Sequence, residues 1–390
     1  MRGAAAVIAT LVALAMPGAA HALPDCSPLP EKRTILTGQG QLESIISDRH
    51  GRIFYTDIQS GGRMFRLDRP GAEPKQLIQG ISGTGGLAWD TDETLVLGFN
   101  GSTQNAIADG PAGGLLRVDP ETGATTPLAS GMGQSNGIVR GPDGAFYASN
   151  DFAGGIDRVV GGQVQDDWSK VQTPNGLAID TAGRYLYAAQ TFKPASVARI
   201  DLSDPSKEEP YYEAPPGDQQ GGPDGMTRDD RDRLYVAVNA SGEVWRIDTD
   251  RTACVLARGI LNASALNWGG GEPGFPARNL YVVAFSGVLV ELVDATDRPP
   301  LAEGPGPVRA LRLSVSPARA ARRVSTRYRF VVEVGSSRAR GAIVRMGNKR
   351  VSTNASGEAS LRLRYFHAGS KSVRASLPGY RSARARVRVK

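Results

Sequence analysis

Six times along the chain the same short design returns: a small or polar residue, Gly, apolar residues, an Asp-bearing turn, then a strand-like run ending in a pattern close to G-x-V-x-R-I-D. The units read LESIISDRHGRIFYTD, GGLAWDTDETLVLG, SNGIVRGPDGAFYAS, PNGLAIDTAGRYLYAA, PDGMTRDDRDRLYVAV, and SALNWGGG with ARNLYVVA. In register they align Glu43, Gly86, Asn136, Asn175, Asp224 and Ala265, at spacings of 43, 50, 39, 49 and 41 residues. Repeats near that length, built of short β-rich segments and Gly/Asp turns, predict four-stranded propeller blades. Helix-period apolar stripes are nearly absent, which excludes a helical solenoid. The expected fold is all-β: a six-bladed β-propeller followed by a small β-sandwich. The innermost strand of each blade lines the central channel, so residues at its start converge on one axis.

Composition shows where to divide the chain. Residues 301–390 hold 21 of the 46 Lys and Arg and only three acids, Glu303, Glu333 and Glu358. That is a net +18, leaving −11 on residues 1–300. The Pro/Gly-rich DRPPLAEGPGPV between them, residues 297–308, is expected to be a linker. The first 22 residues carry one basic residue, a short apolar run broken at Pro17, and an Ala20-His21-Ala22 cleavage signal. This is the pattern of a secretory signal peptide, too short and wrongly flanked for a membrane span. It predicts a secreted or extracytoplasmic protein starting at Leu23, and no later stretch is apolar enough for a transmembrane segment. The division is then signal peptide 1–22, propeller 23–296, linker 297–308 and basic sandwich 309–390. The two cysteines, Cys26 and Cys254, both lie in the exported part, where an oxidising compartment permits a disulfide. With Cys26 on an N-terminal strand and Cys254 in the last units, the bond would fasten the ring where its ends meet.

Four of the six equivalent positions carry oxygen donors: Glu43, Asn136, Asn175 and Asp224. Two carboxylates and two amide carbonyls around an axis make a hard-oxygen cage of charge −2. Such a cage suits one divalent cation, Ca²⁺ first, with Mg²⁺, Mn²⁺ and Zn²⁺ as other occupants. The alternative is that each Asx-Gly pair forms a turn before a strand, a role to which Glu43 is unsuited.

At these residues the chain resembles the gluconolactonase/regucalcin (senescence marker protein) superfamily of six-bladed propellers. TPNGLAIDTAGRYLYAA and GPDGMTRDDRDRLYVAV look like its fourth- and fifth-blade motifs, and the resemblance spans roughly residues 34–294. It implies one divalent cation held by a Glu, two Asn and an Asp, which fall here on Glu43, Asn136, Asn175 and Asp224. It also implies a metal-dependent hydrolase of lactones, with Asp224 as the catalytic base toward the attacking water and Glu43 as a structural ligand. One departure stands out. Where the family's enzymes have Arg-x-Asn-Asp-Gly, with the Arg gripping substrate, this chain has Gln134-Ser135-Asn136-Gly137. Recognition of a small-molecule substrate would then pass to polar residues expected at the channel mouth: Asn100, Gln104, Gln134, Asn150, Asp151 and Gln190. Two rival readings stay open. One is a non-catalytic, metal-stabilised ligand-binding propeller. The other is a strictosidine-synthase-like propeller enzyme, whose NGLA motifs look similar but whose chemistry uses a catalytic glutamate without the four-ligand set.

Other signals carry less. GQSNG, residues 133–137, matches the G-x-S-x-G nucleophile pattern but lacks the strand-turn-helix context and a histidine partner. From Arg309 onward, period-two alternation with turns at Gly347-Asn348 and Ala355-Ser356-Gly357 predicts a β-sandwich of six or seven strands. Its order of motifs resembles carboxypeptidase-regulatory-like and bacterial Ig-like modules. The alternate arginines would put a basic face on one sheet, fit for acidic cell-wall polymers or anionic surfaces. The plainer alternatives are that they supply solubility or dock the acidic propeller. Nucleic acid is not expected of an exported chain without interleaved stacking aromatics.

Overall fold

Short strands of Val, Ile, Leu, Tyr and Phe, cut by Gly and Asp turns, fold back on themselves in antiparallel groups of four. The structure, a computed structural model, describes residues 23–304 and 311–390 apart from residues 60, 91–93, 101, 335–336, 378–379 and 381. The expected signal peptide, residues 1–22, lies outside the described residues. Blade one comprises Leu42–Ser47, Ile53–Asp57, Arg63–Leu67 and Lys75–Gln79. Blades two to five repeat the order from first strands Thr84–Trp89, Ile138–Arg140, Pro174–Ile179 and Pro223–Arg228. Blade six has Ala263–Trp268, Leu280–Ala284 and Leu289–Leu292, and its fourth strand is Lys32–Leu36 from the other end of the chain.

The first strands of neighbouring blades contact one another all the way round, blade six against blade one included. The ring is therefore closed. Large side chains fill the gaps between blades: Phe54 meets Trp89 edge-on at 5.5 Å, and Tyr235 meets Trp268 at 4.8 Å. Blades buried on both faces explain why their strands read as continuous apolar runs.

Cys26 and Cys254 are joined in a disulfide across 228 residues of sequence. Cys26 does not lie on the N-terminal strand, however, but six residues before it. Residues 24–26 run along the outer edge of blade five, where Val255 N donates to Pro24 O and Cys26 N to Val255 O, both at 2.8 Å. The exposed backbone of that edge strand, Ala253–Arg258, captures the segment. Leu23 is buried, and its N donates to the buried carboxylate of Asp218 at 2.9 Å. The chain start thus spans the joint between blades five and six.

Residues 297–304 of the expected linker pack on the propeller; 305–308 lie outside the described residues. Asp230 N donates to Arg298 O, Asp297 pairs with Arg231 and Arg233, and Gly304 is buried against the ring of Trp89. Beyond Leu311 two sheets enclose a separate core of Tyr328, Phe330, Val344, Met346, Val373 and Val387. Among the described residues no helix is long and apolar enough to cross a membrane.

Replacing Cys26 by Ser is expected to lower the free energy of unfolding by about 2–4 kcal/mol. Denaturant unfolding should show the loss, and a reducing agent should reproduce it in the native chain while leaving the variant unaffected.

Candidate active site at the channel mouth

One irregularity recurs in the blades and sets the site. In blades one, four and five the ladder between first and second strands slips at Leu42/Ile45, Pro174/Leu177 and Pro223/Met226. A bulge bends the strand and re-aims its unpaired side chain. Glu43, Asn175 and Asp224 fall inside these slipped intervals. Asn136 stands just before the short first strand of blade three, with its N–H donated to Ser149 O at 3.0 Å. Asn175-Gly176 and Asp224-Gly225 are therefore strand residues and not the turns that Asx-Gly pairs also favour. The glycines serve close approach instead. A Cβ on Gly137 would lie 2.2 Å from Asn175 O, and one on Gly176 only 2.4 Å from Asp224 O.

All six aligned positions line one cavity of about 630 Å³ along the axis. The lining continues to the end where the first strands finish, through Gly141, Pro142, Thr181, Gly183 and residues 300–304, while the aligned positions stand toward the other mouth of the channel, where those strands begin. Antiparallel order brings the loops after each second strand to that mouth. One of them delivers Asp151, which is 4% exposed, to the same place as Asp224, 5% exposed. Asn175 Nδ2 donates to Asp151 Oδ2 at 3.4 Å, and Asn239 Nδ2 to Asp224 Oδ2 at 3.0 Å.

Three carboxyls in so little water repel one another. Burial, then the charge of Asp151, pushes the Glu43 carboxyl up to about 8. Asp224 is held well above the usual carboxylate range by burial, then by Glu43 and Asp151, with hydrogen bonds from Asn239 and Asn175 opposing. Burial also raises Asp151, against hydrogen bonds from Asn136 and Gln134. Glu43 Oε2 and Asp151 Oδ1 are buried with no hydrogen-bond partner. Orphaned anionic oxygens beside like charges are what a hard divalent cation would satisfy. Among the described residues no three Cys, His, Asp or Glu form a ready-made metal-holding group. A cation here would draw on the amide oxygens of Asn136 and Asn175 as well.

The other residues expected at the mouth divide. Gln134 is 3% exposed and accepts from Asp151 N, so it props the acid and does not project to solvent. Asn100 accepts from Ser135 N, Asn150 bridges Asp109 to the N–H groups of Phe152 and Ala153, and Gln190 joins Gln172 to Ser196. These three brace loops. Gln104 is exposed on a five-residue helix, Thr103–Ile107. Ser135 of the GQSNG motif is fully buried, its hydroxyl against Met132 Sδ. Sequence reasoning missed Asn239 and the exposed apolar rim. Ile107 ends that short helix, Phe152, Phe192 and Leu261 lie on loops at the same end of the ring, and the Phe152 and Phe192 rings stack at 5.6 Å. Asn100, Asn150 and Asn239 each follow the last residue of a second strand, a regularity that would have flagged Asn239.

Carboxyls whose values are raised in the fold contribute stability below their ordinary range and lose it as pH rises. The cation-free protein should therefore lose thermal stability between about pH 4.5 and 8. Millimolar Ca²⁺ should restore it at pH 8 with proton release. Glu43→Gln should flatten the pH slope; thermal unfolding scans and calorimetry in two buffers check both.

The profile of the SMP-30/gluconolactonase/LRE-like region matches residues 43–282, a stretch that begins at Glu43. Among solved structures, a calcium-binding regucalcin from Agrobacterium tumefaciens aligns at TM-score 0.57 and 18% identity, over 71% of this chain and 98% of its own. A gluconolactonase from Xanthomonas campestris aligns at TM-score 0.56 and 16% identity, over 71% of this chain and 99% of its own. A luciferin-regenerating enzyme aligns at 0.54 and 14%, over 71% of this chain and 100% of its own. Comparison with curated protein sequences gives no significant match. These structures share the fold, and the match over most of the ring shows that the chain belongs to the SMP-30/gluconolactonase/LRE-like family.

Proposed function

We propose that the propeller is a divalent-cation-dependent hydrolase of lactones or similar strained esters, acting on substrates with an apolar or aromatic substituent. The observation that carries this reading is the convergence of Glu43, Asp151 and Asp224 with Asn136 and Asn175 around one point, two of their buried oxygens lacking a partner. The donor set fits the cation implied by the family, and Glu43, Asn136, Asn175 and Asp224 would hold it. When bound, such a cation polarises a carbonyl and acidifies water. Asp224, oriented by Asn239, takes the proton of the attacking water. Asp151, fixed by Gln134 and Asn175, adds a third carboxyl whose charge would help to hold the cation.

Substrate class follows from what surrounds the acids. The position that carries a gripping arginine in the family's enzymes is Gln134 here, and it is committed to Asp151. A polyhydroxylated acid would lose its charged anchor. The stacked Phe152–Phe192 pair offers an apolar platform instead, beginning one residue from Asp151. The same missing arginine favours a second reading, a ligand-binding propeller in which the cation is structural.

The test is pH-stat hydrolysis of a lactone panel by the chain from Leu23, stripped of metal and reloaded. Turnover should vanish with chelation, and Asp224→Asn should lower kcat at least ~100-fold. Phe152→Ala should raise KM roughly 10-fold for phenyl- or alkyl-substituted lactones and leave unsubstituted ones unchanged. Stoichiometric cation binding with no turnover on any lactone would sink the enzymatic reading and leave the binding propeller.

A further inference from the structure

The C-terminal sheets raise a problem of charge. In the sheet that contains Ile343–Met346, Lys349–Ser352, Gly369–Ser376 and Ala383–Val389, alternation sends Val344, Met346, Val373, Ala375 and Val387 inward. The outward positions of these four strands are six arginines, four serines and Ile343, with no acid and no aromatic residue. Register then does something unfavourable. Arg350 lies directly opposite Arg345, Arg345 opposite Arg374, and Arg374 opposite Arg384. All four are exposed. Like charges directly opposite on neighbouring strands destabilise a sheet, and among the described residues none of the four has a salt bridge within the chain. Solubility would be served as well by mixed charges spread over the surface.

We infer that this row is a binding track for a linear polyanion, an acidic glycan whose carboxylates lie across the strands along Arg350, Arg345, Arg374 and Arg384. Strand spacing sets the track's pitch: with about 4.8 Å between strands, the four guanidinium groups span about 14 Å in single file. Each presents a planar fork that takes a carboxylate through two hydrogen bonds, which a lysine cannot do. The flanking serines at 370, 372 and 376 add small neutral donors and leave the face flat. Beside the row, Arg319, Arg386, Arg388 and Lys390 line a shallow groove, with Arg319 and Arg388 in parallel register. A chain leaving the row at Arg384 meets cations there too.

The absence of aromatics removes the stacking contacts that single-stranded nucleic acid uses. The outward positions of these strands carry no large apolar side chain other than Ile343, and the exposed Val324 and Phe366 lie outside the four strands, so this face lacks the anchor that a sheet would insert into a bilayer. A file of fixed, evenly spaced cations on a flat face matches a polymer with a regular charge repeat.

The experiment uses the full chain from Leu23 and three probes: polygalacturonate, a neutral glucan of similar length, and vesicles of phosphatidylglycerol. Binding by calorimetry and co-sedimentation is expected for polygalacturonate alone, falling at least 10-fold between 50 and 200 mM salt as screening sets in. Arg345→Ser with Arg374→Ser should weaken it a further 10-fold or more. The thermal midpoint of that variant should be unchanged or higher, because the like-charge row has been relieved, so loss of binding cannot be ascribed to unfolding. Three outcomes would overturn the inference: no polygalacturonate binding at low salt, binding that the double variant leaves intact, or binding to vesicles only.

Discussion

The architecture rests on how closely six first strands can approach one axis. Backbone meets backbone there, with no room for a Cβ at Gly137 or Gly176, so the residue just before each glycine is carried to the channel wall at a fixed height. In blades four and five a bulge at the same point re-aims Asn175 and Asp224. Glycine and bulge together convert a loose repeat into a constellation. The same crowding excludes water and forces three carboxyls into a space where ionising one opposes ionising the next. Fold and electrostatics at the site are consequences of one packing constraint.

That constraint explains which features are legible in the sequence. The six units, the all-β class, and the shared wall formed by Glu43, Asn136, Asn175 and Asp224 are legible because the repeat imposes them at one register. Whether Asn-Gly makes a turn or a strand is not legible locally, since both readings satisfy the dipeptide; the neighbouring blade decides. Asp151 is not separable in sequence from the other polar loop residues, because it comes from a loop whose length varies between blades, and only the ring brings it to Glu43. Asn100, Asn150 and Gln190 looked equally suited to a ligand, yet their polar atoms are taken up by backbone groups of adjacent loops. Cys26 was expected one element too late, because the pull of blade five's open edge has no local signature.

Charge divides the molecule as firmly as topology does. The acidic half brings three of its carboxyls, Glu43, Asp151 and Asp224, inward to one place, where they are costly and chemically useful. The basic half spreads its arginines outward on one sheet, where they are cheap to hydrate but poorly placed for one another. The two halves therefore offer opposite electrostatic surfaces: a buried acidic cluster in the one, an exposed row of arginines in the other.

The closing strand, Lys32–Leu36, has a consequence for how the protein is made. It emerges first from the ribosome, or from any export channel, and is placed last, because its partner Leu289–Leu292 is more than 250 residues away. Until that partner arrives, blade six has no outer strand, and the open arc presents an unpaired edge at each end. Such edges are templates for other chains. A molecule built this way gains most from closing in one step, with the Cys26–Cys254 bond tying the segment ahead of the closing strand to blade five.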